Sequence, residues 1–280
     1  MESTMYRPKK RLGQNFLTNE AVVDVITKTA ELTSEDLVLE IGPGLGVLTK
    51  SLAVHAGTVV AVELDAALAA VLSQSMRHFG NVRLLNADFL EMDVLATIRE
   101  QVPGWSGKYK VVANIPYYIT SPILWKLLEL EGLSLVVLMV QEEVAARLVA
   151  SPGGKEYGAL SVFVQYHSRV EIIERVPREW FYPSPKVDSA VVRLYPQAPT
   201  VTVKNEEMFF RVVKYSFAQR RKTVANALSA GFGVPRALIE EVLADVGLDP
   251  VRRGETFSLP EFAAASEKLS ERLDICTQGE

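Results

Sequence analysis

Between residues 37 and 195, short apolar runs alternate with stretches in which apolar residues return every three or four positions. A strand buried on both faces loses its polar alternation, so this pattern predicts a mostly parallel sheet covered by helices on both sides. Seven strands are predicted, at 37–41, 58–62, 82–86, 109–113, 135–140, 168–175 and 189–195. The first five read as β/α repeats. The last two are joined by 176–188, which holds Pro177, Pro183 and Pro185 and no helical period, so they are expected to pair antiparallel at the sheet edge.

After Tyr195 the pattern changes. Residues 196–200 read as a linker, and the chain beyond them is helical. Asn205 is a suitable N-cap, Glu206 and Glu207 occupy the first turn, and Met208, Phe209, Val212, Val213 and Phe217 form an apolar stripe at helical spacing. Further helices are predicted at 222–230, 235–246 and 259–273, with Gly231 and Gly247 as C-terminal stops. Two domains are therefore expected, 1–199 and 200–280, and a length of 280 residues accommodates both.

Composition narrows the setting. Apolar residues make up 48% and charged residues 23%, and no apolar run is long enough to span a membrane, so a soluble cytoplasmic protein is expected. The polar, basic start of the chain does not read as a secretory signal. A single cysteine, Cys276, excludes an intrachain disulfide and argues against a cysteine-based metal site; no metal is expected. A net charge of −4 argues against indiscriminate coating of nucleic acid. Two local basic clusters remain, Arg7, Lys9, Lys10 and Arg11, then Arg211, Lys214, Arg220, Arg221 and Lys222, and each fits either phosphate contact or a solvated helix face.

Three strand ends carry candidate binding chemistry. The first strand runs into Glu40-Ile-Gly-Pro-Gly-Leu-Gly46, where glycines let a ligand approach free helix N–H groups. Val47 stands where a dinucleotide fingerprint wants its third glycine, and no Lys-Ser/Thr pair grips phosphate, so NAD and nucleoside triphosphates are disfavoured. Glu63 ends the second strand, placed to accept from ribose hydroxyls, and Asp88 comes just after the third. The set suggests S-adenosylmethionine, with Gly42 beside the amino-acid tail and Asp88 accepting from the adenine amine. Seven strands ending in an antiparallel pair also suit a methyltransferase sheet better than a dehydrogenase. Upstream, Gln14 and Asn15 in Leu12-Gly-Gln-Asn-Phe-Leu17 either close over the cofactor or simply cap the next helix.

A fourth strand end carries Asn114-Ile115-Pro116-Tyr117. The Asn114 side-chain oxygen and the Ile115 carbonyl can accept from an amino group, Pro116 stiffens the turn, and Tyr117 offers a stacking face. Together they suit an exocyclic amine on a planar base. On its own the tetrapeptide is also a plain proline turn after a buried strand.

With these pieces in order, QNFL at 14–17, EIGPGLG at 40–46, VELD at 62–65, NAD at 86–88, NIPYYI at 114–119 and FYPSPKVDSAVVRL at 181–194, the chain closely resembles the ribosomal RNA adenine dimethyltransferases. FAQRRKTVANAL at 217–228 resembles the RNA-facing segment of the bacterial small-subunit branch. The resemblance implies a Rossmann-like class I methyltransferase domain, residues 1–18 forming an arm over the cofactor, and a small all-helical RNA-recognition domain. It assigns cofactor contacts to Asn15, Leu17, Gly42, Glu63, Asp88 and Asn114, a base-binding role to Asn114, Ile115, Pro116 and Tyr117, and a second aromatic wall to Phe181. It directs Lys9, Lys10, Arg11, Arg220, Arg221 and Lys222 to RNA. The implied reaction is transfer of two methyl groups to N6 of each of two adjacent adenosines near the 3′ end of 16S rRNA, by a monomer acting on a small-subunit assembly intermediate. A large-subunit enzyme of the antibiotic-resistance type and a noncatalytic assembly factor are the competing readings. The helical segment argues against the first and the intact acidic and NIPY residues against the second.

Overall fold

The computed structural model describes residues 8, 9, 13–219 and 221–277. Two compact units are formed, one by the chain up to Ala145 together with Ser168–Pro196, the other by Ala146–His167 together with the chain from Gln197 onward. In the first unit the order is β1 (Phe16–Leu17), α1 (Glu20–Thr29), β2 (Leu37–Ile41), α2 (Val47–His55), β3 (Thr58–Glu63), α3 (Ala66–Met76), β4 (Val82–Asn86), α4 (Val94–Gln101), β5 (Tyr109–Asn114), α5 (Thr120–Leu128) and β6 (Leu133–Gln141). Helix α6 (Glu142–Leu148) is next, and after α7 (Ala159–His167) come β7 (Ser168–Val176), β8 (Phe181–Tyr182) and β9 (Ser189–Pro196).

All seven strands predicted from apolar runs are present in one sheet, ordered β4-β3-β2-β5-β6-β9-β7. β2 to β6 run parallel, and β9 lies antiparallel between β6 and β7. All five residues of β2 are buried, as expected for a strand covered on both faces. One face packs Val22, Val23 and Ile26 of α1 and Leu48 and Leu52 of α2 against Val38, Val112, Val137 and Met139 of the sheet. The order reverses direction between β2 and β5, so their carboxyl ends open the crevice where such sheets bind ligands.

The second unit adds α8 (Glu206–Ala218), α9 (Val224–Phe232), α10 (Arg236–Asp245) and α11 (Leu259–Thr277). Asn205 caps α8 as expected, accepting from Met208 N at 2.9 Å. The predicted stripe is its buried face, with Phe209, Val212 and Val213 at 1% exposure or less. Residues 146–167, which the linear reading places in the N-terminal domain, pack here, because Tyr157, Val162 and Tyr166 share a core with Phe209, Leu228, Leu243 and Phe262. Gly231 is not a helix stop. It lies inside α9, where a Cβ would fall 2.3 Å from Cγ of Tyr215, so its role is close packing of α9 on α8. The stop is Gly233, in the left-handed region at φ +70°. Gly247, at φ +72°, sits beyond the end of α10 as read.

Candidate active site

The carboxyl ends of β2, β3, β4 and β5 converge on one cleft. It is open to solvent on one side and lined by the glycine turn after β2, the ends of β3 and β5, the loop after β4, and the arm around β1. Asn15, Leu17, Gly42, Glu63, Asp88, Asn114, Ile115, Pro116 and Tyr117 all line it. The residues read from separate strand ends as candidate cofactor and base contacts therefore share one cleft.

The glycine turn shapes its floor. Gly42 and Gly44 adopt φ of +68° and +58°, and a Cβ at Gly44 would lie 3.1 Å from the Phe16 ring. Gly44 N donates to Glu63 Oε2 at 3.1 Å and Asp65 N to Oε1 at 2.8 Å. Each carboxylate oxygen keeps a further lone pair for a ligand hydroxyl. Burial pushes the Glu63 carboxyl above its ordinary value, while those two N–H groups pull it back. Asp88 is exposed, and its Oδ1 accepts from Leu90 N at 2.9 Å.

Glu40 carries no ligand role in the sequence reading, yet it is the most perturbed acid in the cleft. It is 1% exposed, and burial raises its pKa to about 8, with Thr49 pulling down and Glu63 adding to the rise. Its Oε2 and the Thr49 hydroxyl both lack a well-formed hydrogen bond among the described residues. A buried acid in that state is stabilised by a cation arriving beside it. No Lys or Arg lines the cleft among the described residues. Three acids and no Lys or Arg fit a nucleoside bearing positive charge, which S-adenosylmethionine is, and do not fit a phosphate.

The Asn114 turn is held from both sides. Ile115 is 1% exposed and anchors it in the core, while Tyr117 OH and Ser189 Oγ share a 2.7 Å hydrogen bond that fixes the ring. No hydrogen bond to the Asn114 side chain is found among the described residues, so its amide is available to a substrate. Phe181, assigned as a second aromatic wall, does not line the cleft: it is 4% exposed, packed in the core with Leu17 and Val176. Exposure passes to Tyr182, its neighbour in β8.

Two contacts escaped the sequence. Lys126 of α5 donates to the carbonyls of Phe89, Leu90 and Met92 at 2.9, 2.7 and 2.6 Å, clamping the loop that carries Asp88. Lys9, assigned to RNA, is paired instead with Asp65 at 2.7 Å; Gln14 also donates to Asp65, and Lys9 N donates to Gln14 Oε1. Asp65 caps α3 as well, so it ties the arm to the cleft's edge. Asn15 spends its Nδ2 on Gly13 O at 3.1 Å. Arg221 and Lys222 are exposed before α9, whereas Arg7, Lys10, Arg11 and Arg220 lie outside the described residues.

This sheet order and this cleft define a class I S-adenosylmethionine-dependent methyltransferase. The family model described as ribosomal RNA adenine dimethylase matches residues 5–265, and the chain belongs to that family. Among curated relatives, the ribosomal RNA small subunit methyltransferase A of Pelotomaculum thermopropionicum is 51% identical over 94% of this chain and 91% of its own length. That of Bacillus cereus is 49% identical over 93% and 91%. Among solved structures, a dimethyladenosine transferase from Plasmodium falciparum superposes with a TM-score of 0.77 at 25% identity, covering 92% of this chain and 98% of that one. The 23S rRNA methyltransferase ErmE gives 0.67 at 29% identity, covering 91% and 100%. No helix among the described residues is long and apolar enough to cross a membrane, and none of their acidic, His or Cys groups form a metal-holding cluster.

Proposed function

We propose that this protein transfers methyl groups from S-adenosylmethionine to N6 of two adjacent adenosines in the hairpin near the 3′ end of 16S rRNA, two on each. In this reading it works in the cytoplasm as a monomer on an assembling small subunit. The observation that carries the reaction type is that the Asn114–Tyr117 turn lines the same cleft as Glu63 and Asp88. The small-subunit assignment is supported by the names borne by relatives at about 50% identity.

The bound cofactor supplies an electrophilic methyl on a sulfonium. Glu40 and Glu63 would hold the cationic and ribose parts, Asp88 would accept from the adenine amine, and the arm carrying Asn15 and Leu17 would cover the cofactor. The adenine N6 lone pair is delocalised into the ring, so the protein must localise it rather than remove a proton with a strong base. Asn114 Oδ1 and the Ile115 carbonyl accept from the N6 hydrogens, which favours a tetrahedral nitrogen with its lone pair directed at the methyl. Near-attack positioning at about 3–3.5 Å is the main contribution. Tyr117, held by Ser189, stacks on the extruded base. Arg220, Arg221 and Lys222, with Lys10 and Arg11, are the residues assigned to RNA phosphates. Lys9 serves as a tether.

Asn114→Ala tests the clamp. Loss of one such acceptor is expected to lower methyl transfer about 10²–10³-fold, by analogy with removal of a single polar stabilising group, with S-adenosylmethionine affinity by calorimetry little changed. Near-normal dimethyladenosine formation by the variant on purified small subunits contradicts the role.

A further inference from the structure

β1 and β8 form an antiparallel ribbon of two residue pairs, Phe16 opposite Tyr182 and Leu17 opposite Phe181. Successive residues in a strand face opposite ways, and directly opposed residues share a face. Burial settles one face: Leu17 and Phe181 are 7% and 4% exposed within the same apolar cluster. The other face carries Phe16, which lines the cofactor cleft, and Tyr182, which is 65% exposed. Opposed partners have Cβ atoms about 4.5–5.5 Å apart, so the bare Tyr182 ring stands beside the cleft wall. No hydrogen bond to its hydroxyl is found among the described residues.

The loop that presents this ring is braced. Thr18 N and Oγ1 both donate to Trp180 O at 2.9 Å, Ser184 Oγ donates to Arg178 O at 2.9 Å, and Arg178 N donates to Asp188 Oδ1 at 3.1 Å. Lys186, four residues beyond Tyr182, is exposed on the same loop. An exposed aromatic on a braced loop that also carries an exposed cation is a combination suited to single-stranded nucleic acid, the ring taking a base and the cation a phosphate.

We propose that Tyr182 is a stacking platform for the RNA nucleotide adjacent to the adenosine being methylated, with Lys186 contacting that strand's phosphate. This rests on the RNA substrate proposed above. Extruding one adenosine strips its neighbour of a stacking partner; Tyr182 replaces it. The inward Phe181 holds the ribbon in place, and the outward Tyr182 meets RNA.

Methyl transfer to unmethylated small subunits, with wild type, Tyr182→Ala, Tyr182→Phe, Phe181→Leu and Lys186→Ala in parallel, tests this. Tyr182→Ala is expected to raise KM for subunits about 5- to 150-fold, the range for losing one base stack, with kcat and S-adenosylmethionine affinity unchanged. Tyr182→Phe should restore KM, because the ring and not the hydroxyl stacks. Phe181→Leu should lower thermal stability and leave KM as in wild type. Lys186→Ala should flatten the slope of log K against log salt by about 0.7, one single-strand phosphate. A wild-type KM in Tyr182→Ala, or a Phe variant as impaired as the Ala variant, overturns the proposal. A wild-type protein that fails to methylate the subunits overturns the substrate reading instead, and the two failures are thereby distinguished.

Discussion

Replacing Glu40 with Gln separates the charge of the cleft's buried acid from its shape. The Glu40 carboxyl is 1% exposed, and burial raises its pKa from 4.5 to about 8. A raised acid is neutral and tolerated at low pH, and the folded state is penalised once the unfolded chain ionises it. Its favourable contribution is therefore complete below pH 4.5 and is lost as pH climbs through about 8. Each pH unit in that window is worth about 1.4 kcal/mol, so wild type without cofactor should lose up to about 5 kcal/mol relative to Glu40→Gln between those limits. Urea denaturation of both proteins at half-unit steps from pH 4.5 to 8.5 measures the difference directly, since every other titrating group is common to both. Wild type should be the steeper, and Glu40→Gln the more stable at pH 8. Bound S-adenosylmethionine should erase most of that gap by placing positive charge beside the acid. Parallel stability curves would refute a buried, neutral Glu40 and with it the idea that the cleft selects a cationic ligand.

Lys126→Met removes the ammonium that closes three carbonyls of the Asp88 loop. Stability should fall by about 1.5–3 kcal/mol, and S-adenosylmethionine should bind more weakly in calorimetry; an unchanged affinity would show that the clamp does not position Asp88. Gly231→Ala drives a methyl into the Tyr215 ring and should cost about 1–3 kcal/mol as overpacking, whereas Gly233→Ala should cost stability through its positive φ without touching that ring. Near-UV circular dichroism and thermal denaturation of the two variants distinguish those causes, and a Gly231→Ala protein as stable as wild type contradicts the close contact.

The central strands were legible because β2, β3, β5 and β6 are apolar runs largely buried on both faces, which demands that composition, whereas the edge strands β4 and β7 are partly exposed and carry charged residues such as Arg83, Arg169 and Glu171. That the candidate site residues share one cleft was legible for a related reason. A parallel sheet delivers all its carboxyl ends to one edge, so Gly42, Glu63, Asp88 and Asn114 had to meet once the strands were placed. What escaped depended on contacts between distant residues. Lys9 reads as a free cation in the linear chain, and only the fold brings Asp65 to it. The two-residue strands β1 and β8 have no period to detect, so nothing in the chain said that Phe181 turns inward and Tyr182 outward. Gly231 and Gly233 are equally plausible stops until the packing of α9 on Tyr215 separates them. Residues 146–167 precede the last strands in sequence, and their membership in the helical unit is set by apolar partners found more than forty residues later.

Incubating the purified protein with S-adenosylmethionine and unmethylated small subunits, then mapping the modified nucleosides by mass spectrometry, tests substrate and product together. N6,N6-dimethyladenosine is expected at two adjacent positions near the 3′ end of 16S rRNA, formed about 10²–10³-fold more slowly by the Asn114→Ala protein. Methyl groups on 23S rRNA alone, on atoms other than adenine N6, or on no RNA at all would contradict the proposed function.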